Sequence, residues 1–234
     1  MKRNGTRRGP LSALDEAALK CGVRELRRRD ADLARVVENF GAPPLWAREP
    51  GFPTLVHMIL EQQVSLASAR AAYNRLLERV TPLTPAGFLR LEANELRTIG
   101  FSRQKAGYCR LLAESVRDKQ VNLDAVAGMD DSAAHGELLR IKGVGEWTAD
   151  IYLLMALGRP DVWPRGDLAL AKAMQRVKRL RSQPSAERIE RISASWRPWR
   201  AVAARILWHD YLSRAAAARN GRKQTGVAAP KQSP

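Results

Sequence analysis

Asp167 stands at the end of an extended loop that contains Pro160 and Pro164, and a helix is predicted to begin near Leu168. Aspartate is favoured as a helix N-cap because its side chain accepts hydrogen bonds from the N–H groups of the first turn. The positive end of the helix dipole also favours the ionised carboxylate. From the residues alone, N-capping is the favoured interpretation of Asp167, and it is compatible with a second role as a fixed anion.

A tight turn, Gly143-Val144-Gly145, joins two predicted helices within residues 138–157. Glycine has no Cβ, so this backbone can approach a phosphate closely, while Val144 is expected to anchor the turn in the core. The N–H groups and the dipole at the start of the second helix can bind a phosphate without reading a base. An ordinary helical hairpin that uses glycine explains these three residues at least as well.

The elements that must position these residues are predicted to be helical. Residues 54–80 carry apolar side chains at the 3.6-residue period between Pro53 and Pro82, which indicates one long helix. The same period predicts further helices over 12–40, 85–97, 103–117, 132–140, 146–157, 168–180, 184–195 and 198–215. Strand-like alternation is nearly absent, so the fold class is predicted to be all-α.

The helical domain is expected to span 11–215, between basic flexible tails at 1–10 and 216–234. We expect the segment before about residue 45 to pack back on the C-terminal helices. No apolar run is long enough to cross a bilayer, and no signal peptide follows the basic start. The protein is therefore expected to be intracellular, and cytoplasmic and nucleoid-associated if bacterial.

The composition favours one kind of partner. The 234 residues are 45% hydrophobic, which is typical of a globular chain, and the net charge is +16. Such an excess favours a polyanion, with nucleic acid as the first candidate and an anionic membrane surface as the second. Two cysteines are too few for a four-cysteine zinc site or an iron–sulfur cluster, and both are expected to be reduced thiols. The three histidines lack the spacing typical of metal ligands and are expected to be packing or surface residues: His57, His135 and His209.

Several ordered segments resemble the helix-hairpin-helix superfamily of base-excision DNA glycosylases, in its 3-methyladenine-DNA glycosylase II branch. The run Ile-Lys-Gly-Val-Gly-Glu-Trp-Thr-Ala at 141–149 is similar to the phosphate-binding hairpin of that superfamily. Other similar segments follow the family's order and together cover roughly 45–213: 60–65, 96–106, 195–200 and 206–208. The resemblance implies a helix-hairpin-helix glycosylase fold of two helical lobes with the active-site cleft between them.

The resemblance also implies that Asp167 is the catalytic residue. Breaking an N-glycosidic bond builds positive charge on the sugar, and a fixed carboxylate stabilises that charge in the transition state. Bifunctional members carry a Schiff-base lysine immediately before the Thr of the hairpin motif, where this chain has Trp147. We therefore expect a monofunctional enzyme without AP-lyase activity. It would flip out alkylated bases of the 3-methyladenine and 7-methylguanine type, excise them hydrolytically and leave an abasic site.

The substrate pocket is expected, by resemblance, to include Trp208 and Trp147, because electron-rich rings attract cationic N-alkylated purines. Ile151 and His209 stand where close relatives can have tyrosines, so a broad substrate range is not assumed. Core packing is the alternative for each tryptophan. It is the preferred explanation for two of them, Trp196 and Trp199.

DNA contacts are expected from three segments. Gln63, with Gln62 beside it, stands where relatives place the wedge that fills the gap left by the flipped base. Some relatives use leucine there, and a polar wedge could hydrogen-bond the orphaned base instead. Ser102 is predicted to cap a helix that brings Arg103 and Lys105 to phosphate, with a solvated basic face as the alternative. The hairpin would contribute Lys142, Gly143, Val144, Gly145 and Thr148.

No cofactor is expected to be required, and no iron–sulfur cluster is expected. The resemblance implies a structural cation, such as Na⁺ or K⁺, on the backbone carbonyls of Leu139, Ile141 and Val144. The expected partner is double-stranded DNA with damaged bases, bound by a monomer, without a membrane. Two alternatives stay open: a glycosylase for deaminated or oxidised bases, and a non-catalytic protein that binds DNA structure through the hairpin.

Overall fold

The structure is a computed structural model that describes residues 13–225. Over this range the chain forms thirteen α-helices and one π-helical turn, without a β-strand, which confirms the all-α prediction. The helices are α1 (Glu16–Arg29), α2 (Ala31–Phe40), α3 (Phe52–Glu61), α4 (Leu66–Arg79), α5 (Pro85–Leu89), α6 (Ala93–Ile99), α7 (Arg103–Arg117), α8 (Leu123–Gly128), α9 (Asp131–Leu139), α10 (Glu146–Ile151), α11 (Leu168–Val177), α12 (Ala186–Ala194) and α13 (Arg200–Thr225). The π-helical turn, Tyr152–Ala156, continues α10 directly.

The chain divides into two compact units. The first unit contains Trp46–Arg165 and therefore α3 to α10. The second unit contains Leu14–Leu45 and the chain from Gly166 onward. In this second unit α1 and α2 pack on α13, and α2 also contacts α11. The prediction that the segment before about residue 45 packs on the C-terminal helices is confirmed for α1 and α2.

The core of the second unit is organised around Asp30, which separates α1 from α2 and caps α2 by accepting from the N–H of Asp32 at 3.0 Å. Its carboxylate also accepts from Lys178 Nζ at 2.6 Å and from Trp196 Nε1 at 2.7 Å. Trp196 is 1% exposed and Trp199 is 4% exposed. The preference for core packing of these two tryptophans is confirmed.

The predicted single helix over 54–80 is wrong. The chain leaves the helix after α3, because Gln62 has extended ψ of 127° and Gln63 has a positive φ of 56°. Ser65 then starts α4 by accepting a hydrogen bond from the N–H of Ser68 at 3.2 Å. The apolar period continues across this break, so periodicity alone does not reveal it, whereas the capping serine does.

Other helix bounds also differ from those predicted. The helix predicted over 12–40 divides at Asp30, and that over 85–97 divides into α5 and α6. The short helix α8 was not predicted. The last helix, α13, continues to Thr225, so its end enters the segment predicted as the tail at 216–234. The tail predicted at 1–10 lies outside the described residues. Among the described helices, none combines the length and the apolar composition that a bilayer crossing needs.

Candidate active site

Asp167 is the N-cap of α11, as predicted. Its Oδ1 accepts a hydrogen bond from the N–H of Leu170 at 2.8 Å, and the residue is half-buried. Gly166, immediately before it, has a positive φ of 74° that favours glycine. Leu168, immediately after it, is 67% exposed. The loop therefore presents a fixed carboxylate at the partly exposed start of a helix.

Trp208 lies beside this carboxylate. It is carried by α13, which packs on α11 within the second unit, and its side chain is 8% exposed. The indole Nε1 donates to Asp167 Oδ1 at 3.4 Å. Of the residues predicted for the pocket, Trp208 is thus brought into contact with the predicted catalytic residue. An aromatic side chain and a carboxylate are therefore in direct contact in the second unit.

The other predicted pocket residues are placed differently. Trp147 and Ile151 belong to the first unit, where Trp147 is partly exposed on α10 and Ile151 is 2% exposed. His209 belongs to the second unit, and its Nε2 lies 2.9 Å from the carbonyl oxygen of Phe40. The aromatic rings of His209 and Phe40 pack edge to face, with their centroids 6.5 Å apart. The structure thus gives His209 a packing contact with the end of α2.

The hairpin turn has the geometry that its glycines predict. Gly143 has a positive φ of 94°, and a Cβ there would lie 2.4 Å from Cγ of Tyr108, so only glycine fits. Val144 is 5% exposed, which confirms its predicted role as an anchor in the core. Gly145 is the exposed N-cap of α10. The Lys142 side chain is also exposed.

Three residues that were predicted to contact DNA have hydrogen-bond partners within the protein. Gln62 Nε2 donates to the carbonyl oxygen of Gly143 at 2.9 Å and to Thr148 Oγ1 at 3.0 Å. Thr148 is only 2% exposed, so its hydroxyl faces the Gln62 side chain rather than solvent. Lys105 Nζ donates to the carbonyl oxygens of Leu60 and Gln62, both at 2.7 Å. The polar atoms of Gln62, Lys105 and Thr148 thus have protein partners distant in sequence, and their contact with DNA stays a prediction.

Outside the hairpin, the remaining residues predicted to contact DNA are exposed. Gln63 lies in the turn between α3 and α4, and Arg103 lies in the first turn of α7. Ser102 is the N-cap of α7, as predicted, and its Oγ accepts from the N–H of Lys105 at 3.2 Å. Exposure keeps Gln63 and Arg103 available to a ligand.

A cluster around Arg165 is a feature that sequence reasoning missed. Asp150 is 3% exposed and accepts from both the backbone N–H of Arg165, at 3.0 Å, and its Nε, at 3.2 Å. The guanidinium Nη2 donates to His135 Nε2 at 2.8 Å and lies 2.9 Å from Glu146 Oε2. His135, Glu146 and Asp150 lie close enough together to be potential metal ligands. The histidines were predicted to be ordinary packing or surface residues. In the structure the cation among these three side chains is the guanidinium, and Asp150 holds the loop that leads to Asp167.

Both cysteines are free thiols, as predicted. Cys21 is partly exposed and Cys109 is buried. Burial raises the pKa of the Cys109 thiol far above its ordinary value. A thiol in this state is a poor nucleophile and a poor metal ligand, because both roles need the thiolate.

The sequence matches the HhH-GPD superfamily of base excision DNA repair proteins over residues 56–198. The chain belongs to this superfamily. The matched range contains the helix-hairpin-helix turn and Asp167, and it ends before Trp208.

Relatives with curated names extend this result. A protein of Mycobacterium tuberculosis, named as a probable bifunctional transcriptional activator/DNA repair enzyme AlkA, is 33% identical over 82% of this chain. The chain spans only 42% of the length of that relative. The 3-methyladenine DNA glycosylase Mag1 of Schizosaccharomyces pombe, solved with abasic DNA, is 25% identical with a TM-score of 0.75. The match covers 80% of this chain and 95% of Mag1.

A second solved structure is similar over most of its length. The DNA-3-methyladenine glycosidase of Bacillus halodurans is 26% identical with a TM-score of 0.70, and the match covers 83% of this chain and 91% of that protein. These neighbours share the all-α fold of the HhH-GPD superfamily, as the sequence predicted.

Proposed function

We propose that this protein is a DNA glycosylase that excises alkylated purine bases from double-stranded DNA in base-excision repair. The observation that carries the proposal is the contact between the Asp167 carboxylate and the Trp208 indole in the second unit. The names of the similar proteins support the same substrate class, since Mag1 and the Bacillus halodurans protein are both named for 3-methyladenine.

Asp167 acts electrostatically in this proposal. As the N-glycosidic bond breaks, positive charge develops on the deoxyribose, and a carboxylate fixed nearby stabilises the transition state more than the ground state. The hydrogen bond from the Leu170 N–H fixes Oδ1 before the substrate binds, so no reorganisation is needed during the reaction. The same carboxylate can orient the water that attacks the sugar.

Trp208 provides the affinity for the base. N-alkylated purines such as 3-methyladenine and 7-methylguanine carry a formal positive charge, and the face of an indole ring attracts a cation. Their glycosidic bonds are already weakened, so an electrostatic contribution from Asp167 is sufficient for release. Trp147, which the family resemblance also implies for substrate binding, is partly exposed on α10 of the first unit.

We propose that the enzyme is monofunctional. Strand cleavage by bifunctional members needs an amine that forms a Schiff base with the sugar. Trp147 occupies the position of that lysine, and the exposed Lys142 lies five residues before it in the turn. Water is therefore the proposed nucleophile, and an uncut abasic site is the proposed product.

The hairpin is proposed to hold the DNA backbone. The N–H groups around Gly143 and Gly145 can bind a phosphate, while exposed Arg103 and Lys142 add charge. Gln63 is proposed as the wedge that replaces the flipped base. The carbonyls of Leu139, Ile141 and Val144 are proposed to hold a monovalent cation. Ile141 O already accepts from Val144 N–H at 2.9 Å but, like every carbonyl oxygen, has a second lone pair.

A panel of duplexes tests the proposal against its alternatives. The wild-type protein is incubated with DNA that contains 3-methyladenine, 7-methylguanine, hypoxanthine, uracil or 8-oxoguanine, and the released bases are resolved chromatographically. We expect release of the two alkylated bases. Release confined to hypoxanthine, uracil or 8-oxoguanine would instead support a glycosylase for deaminated or oxidised bases. Affinity for abasic DNA without release of any base would support a non-catalytic binding protein.

A further inference from the structure

The turn that contains Gln63 has a strained backbone, and the side chains that follow it are exposed to solvent. Gln63 has a positive φ of 56°, a conformation that residues other than glycine rarely adopt. Val64 and Leu66, which follow it, are 45% and 61% exposed. Such a conformation persists only where the surrounding structure imposes it. The groups that impose it here can be identified from the contacts of the turn.

Lys105 holds the backbone on the N-terminal side of the turn. The last carbonyls of a helix lack partners within the helix, and α3 ends at Glu61. Lys105 Nζ donates to the carbonyls of Leu60 and Gln62, which flank that end. Its positive charge also matches the negative end of the helix dipole. Partial burial lowers the pKa of Lys105 from its ordinary value, because desolvation disfavours the charged ammonium.

Gln62 connects the same turn to the hairpin. Its backbone carbonyl accepts from Lys105, and its side chain donates to Gly143 O and Thr148 Oγ1. The helix that carries Lys105 also carries Tyr108, whose ring leaves no room for a Cβ at Gly143. Helix α7 thus contacts both the turn of Gln63 and the phosphate-binding turn.

A partly buried ion pair supports the other side of the helix end. Glu61 has a side chain that is 6% exposed, and it accepts from Arg48 Nη1 at 2.9 Å and from Nη2 at 2.8 Å. The backbone N–H of Arg48 donates to Met155 O at 2.9 Å. The end of α3 is therefore held by Lys105 at the Leu60 and Gln62 carbonyls and by Arg48 at the Glu61 side chain. Gln63 is the first residue after this helix end whose side chain is exposed.

We propose that Lys105 is a positioning residue for base flipping. It fixes the backbone turn of Gln63, so that the Gln63 side chain enters the DNA stack from a rigid turn. The proposal rests on the proposed function, because a wedge is needed only where a base leaves the stack. It also assigns Lys105 a role that differs from the phosphate contact predicted from its charge. A phosphate contact would strengthen binding to any duplex, whereas a positioned wedge strengthens binding only where a base is displaced or missing.

The test measures two affinities for each variant, one for an undamaged duplex and one for a duplex with a stable abasic-site analogue. Lys105→Met removes the donors and is expected to reduce the ratio of the two affinities about tenfold, the size of one lost hydrogen bond to a charged group. Lys105→Arg keeps a cation with several donors and is expected to restore the ratio. Arg117→Met, which removes one exposed charge at the other end of α7, is the matched control and should leave the ratio unchanged.

A double-mutant cycle distinguishes positioning from a general structural effect. If Lys105 acts through Gln63, Lys105→Met has no further effect on the ratio in a Gln63→Ala background. The proposal is overturned if the two substitutions act additively, or if Lys105→Met weakens both duplexes equally and lowers the salt slope of binding by about one. If Lys105→Met is unfolded at the assay temperature, Lys105→Gln, which keeps a donor, replaces it. An intermediate ratio is then expected, and an unchanged ratio would overturn the proposal.

The affinity ratio needs no base release. A wild-type protein that releases no base from any duplex would contradict the proposed function, and the ratio would still decide the role of Lys105.

Discussion

Trp208 donates from its indole nitrogen to the carboxylate of Asp167, 41 residues earlier in the chain. The same oxygen, Oδ1, accepts from the N–H of Leu170, so one atom is held by a helix cap and by an aromatic side chain. This relationship reconciles the N-cap position of Asp167 with the catalytic role that we propose for it. The cap orients the carboxylate, and the indole lies beside it as an aromatic surface.

Substitutions of Trp208 should separate its hydrogen bond from its aromatic face. Trp208→Phe loses only the donor, and we expect single-turnover release of 7-methylguanine to fall by about threefold, since the lost hydrogen bond is long. Trp208→Leu also loses the ring face, and release should fall by about a further tenfold through the lost cation–π attraction. Release of the neutral base hypoxanthine, where it is measurable, should be affected less by Trp208→Leu.

The control for these variants is Trp199→Phe. Trp199 is a buried tryptophan of the same unit, and its Nε1 donates to Glu25 Oε2 at 2.9 Å. This substitution also removes an indole donor, but it lies in the core and should leave base release unchanged. Equal loss of release in Trp208→Leu and Trp199→Phe would show that stability, rather than the pocket, is affected.

Borohydride treatment should trap no covalent complex between the wild-type protein and DNA that contains an alkylated base. The physical reason is that Trp147 stands where a bifunctional enzyme has its amine nucleophile. A bifunctional glycosylase/lyase treated in parallel verifies that trapping works. A borohydride-dependent adduct with the wild-type protein would contradict the hydrolytic mechanism.

Asp30 should make stability depend on pH in the acidic range. Burial raises the pKa of this carboxyl, but hydrogen bonds from Lys178 and Trp196 and the charge of Lys178 outweigh it, so the pKa in the folded protein lies below its ordinary value. A depressed pKa means that the unfolded chain binds the proton more readily. The contribution of the Asp30 charge to the free energy of unfolding is therefore complete above about pH 4. It is lost as the pH falls through the pKa of the folded protein.

Urea unfolding of the wild type and of Asp30→Asn at several pH values measures this effect. Near pH 7 the variant should be less stable by about 1–2 kcal/mol, since it keeps a capping oxygen but loses a charged partner of Lys178. The difference should shrink as the pH is lowered below 3.8. Asp124→Asn, at an exposed position in the first turn of α8, should show a much smaller difference. A difference for Asp30→Asn that stays constant down to acid pH would refute the role of the charge.

The features that the sequence predicted correctly are governed by local interactions. Asp167 and Ser102 are caps that bond to N–H groups three residues ahead, and the helix predicted over 103–117 matches α7. The Gly143 turn needs a conformation that its own residue type indicates. In each case the physical cause lies within a few residues, so the sequence pattern contains the information.

The features that could not be predicted depend on partners distant in the chain. The hydrogen bonds of Lys105 could not be predicted because their acceptors, the carbonyls of Leu60 and Gln62, lie more than forty residues earlier. Asp150 carried no sequence signal for its bond to Arg165, fifteen residues later. Every residue has the same backbone carbonyl group, so the sequence cannot indicate which carbonyl a lysine will bind.

The central claim, that Asp167 drives excision of alkylated bases, is tested most directly by single-turnover base release from methylated DNA. The wild type and Asp167→Asn are compared, with the released bases resolved and binding measured on the same DNA. Asparagine keeps an oxygen that can cap α11, so the variant should fold and bind DNA.

The account predicts that the wild type releases 3-methyladenine and 7-methylguanine and leaves the strand uncut. Asp167→Asn should release them about 100- to 1000-fold more slowly, the effect expected when a fixed charge at the transition state is lost. Release by Asp167→Asn at nearly the wild-type rate, or no release of alkylated bases by the wild type, would contradict the account.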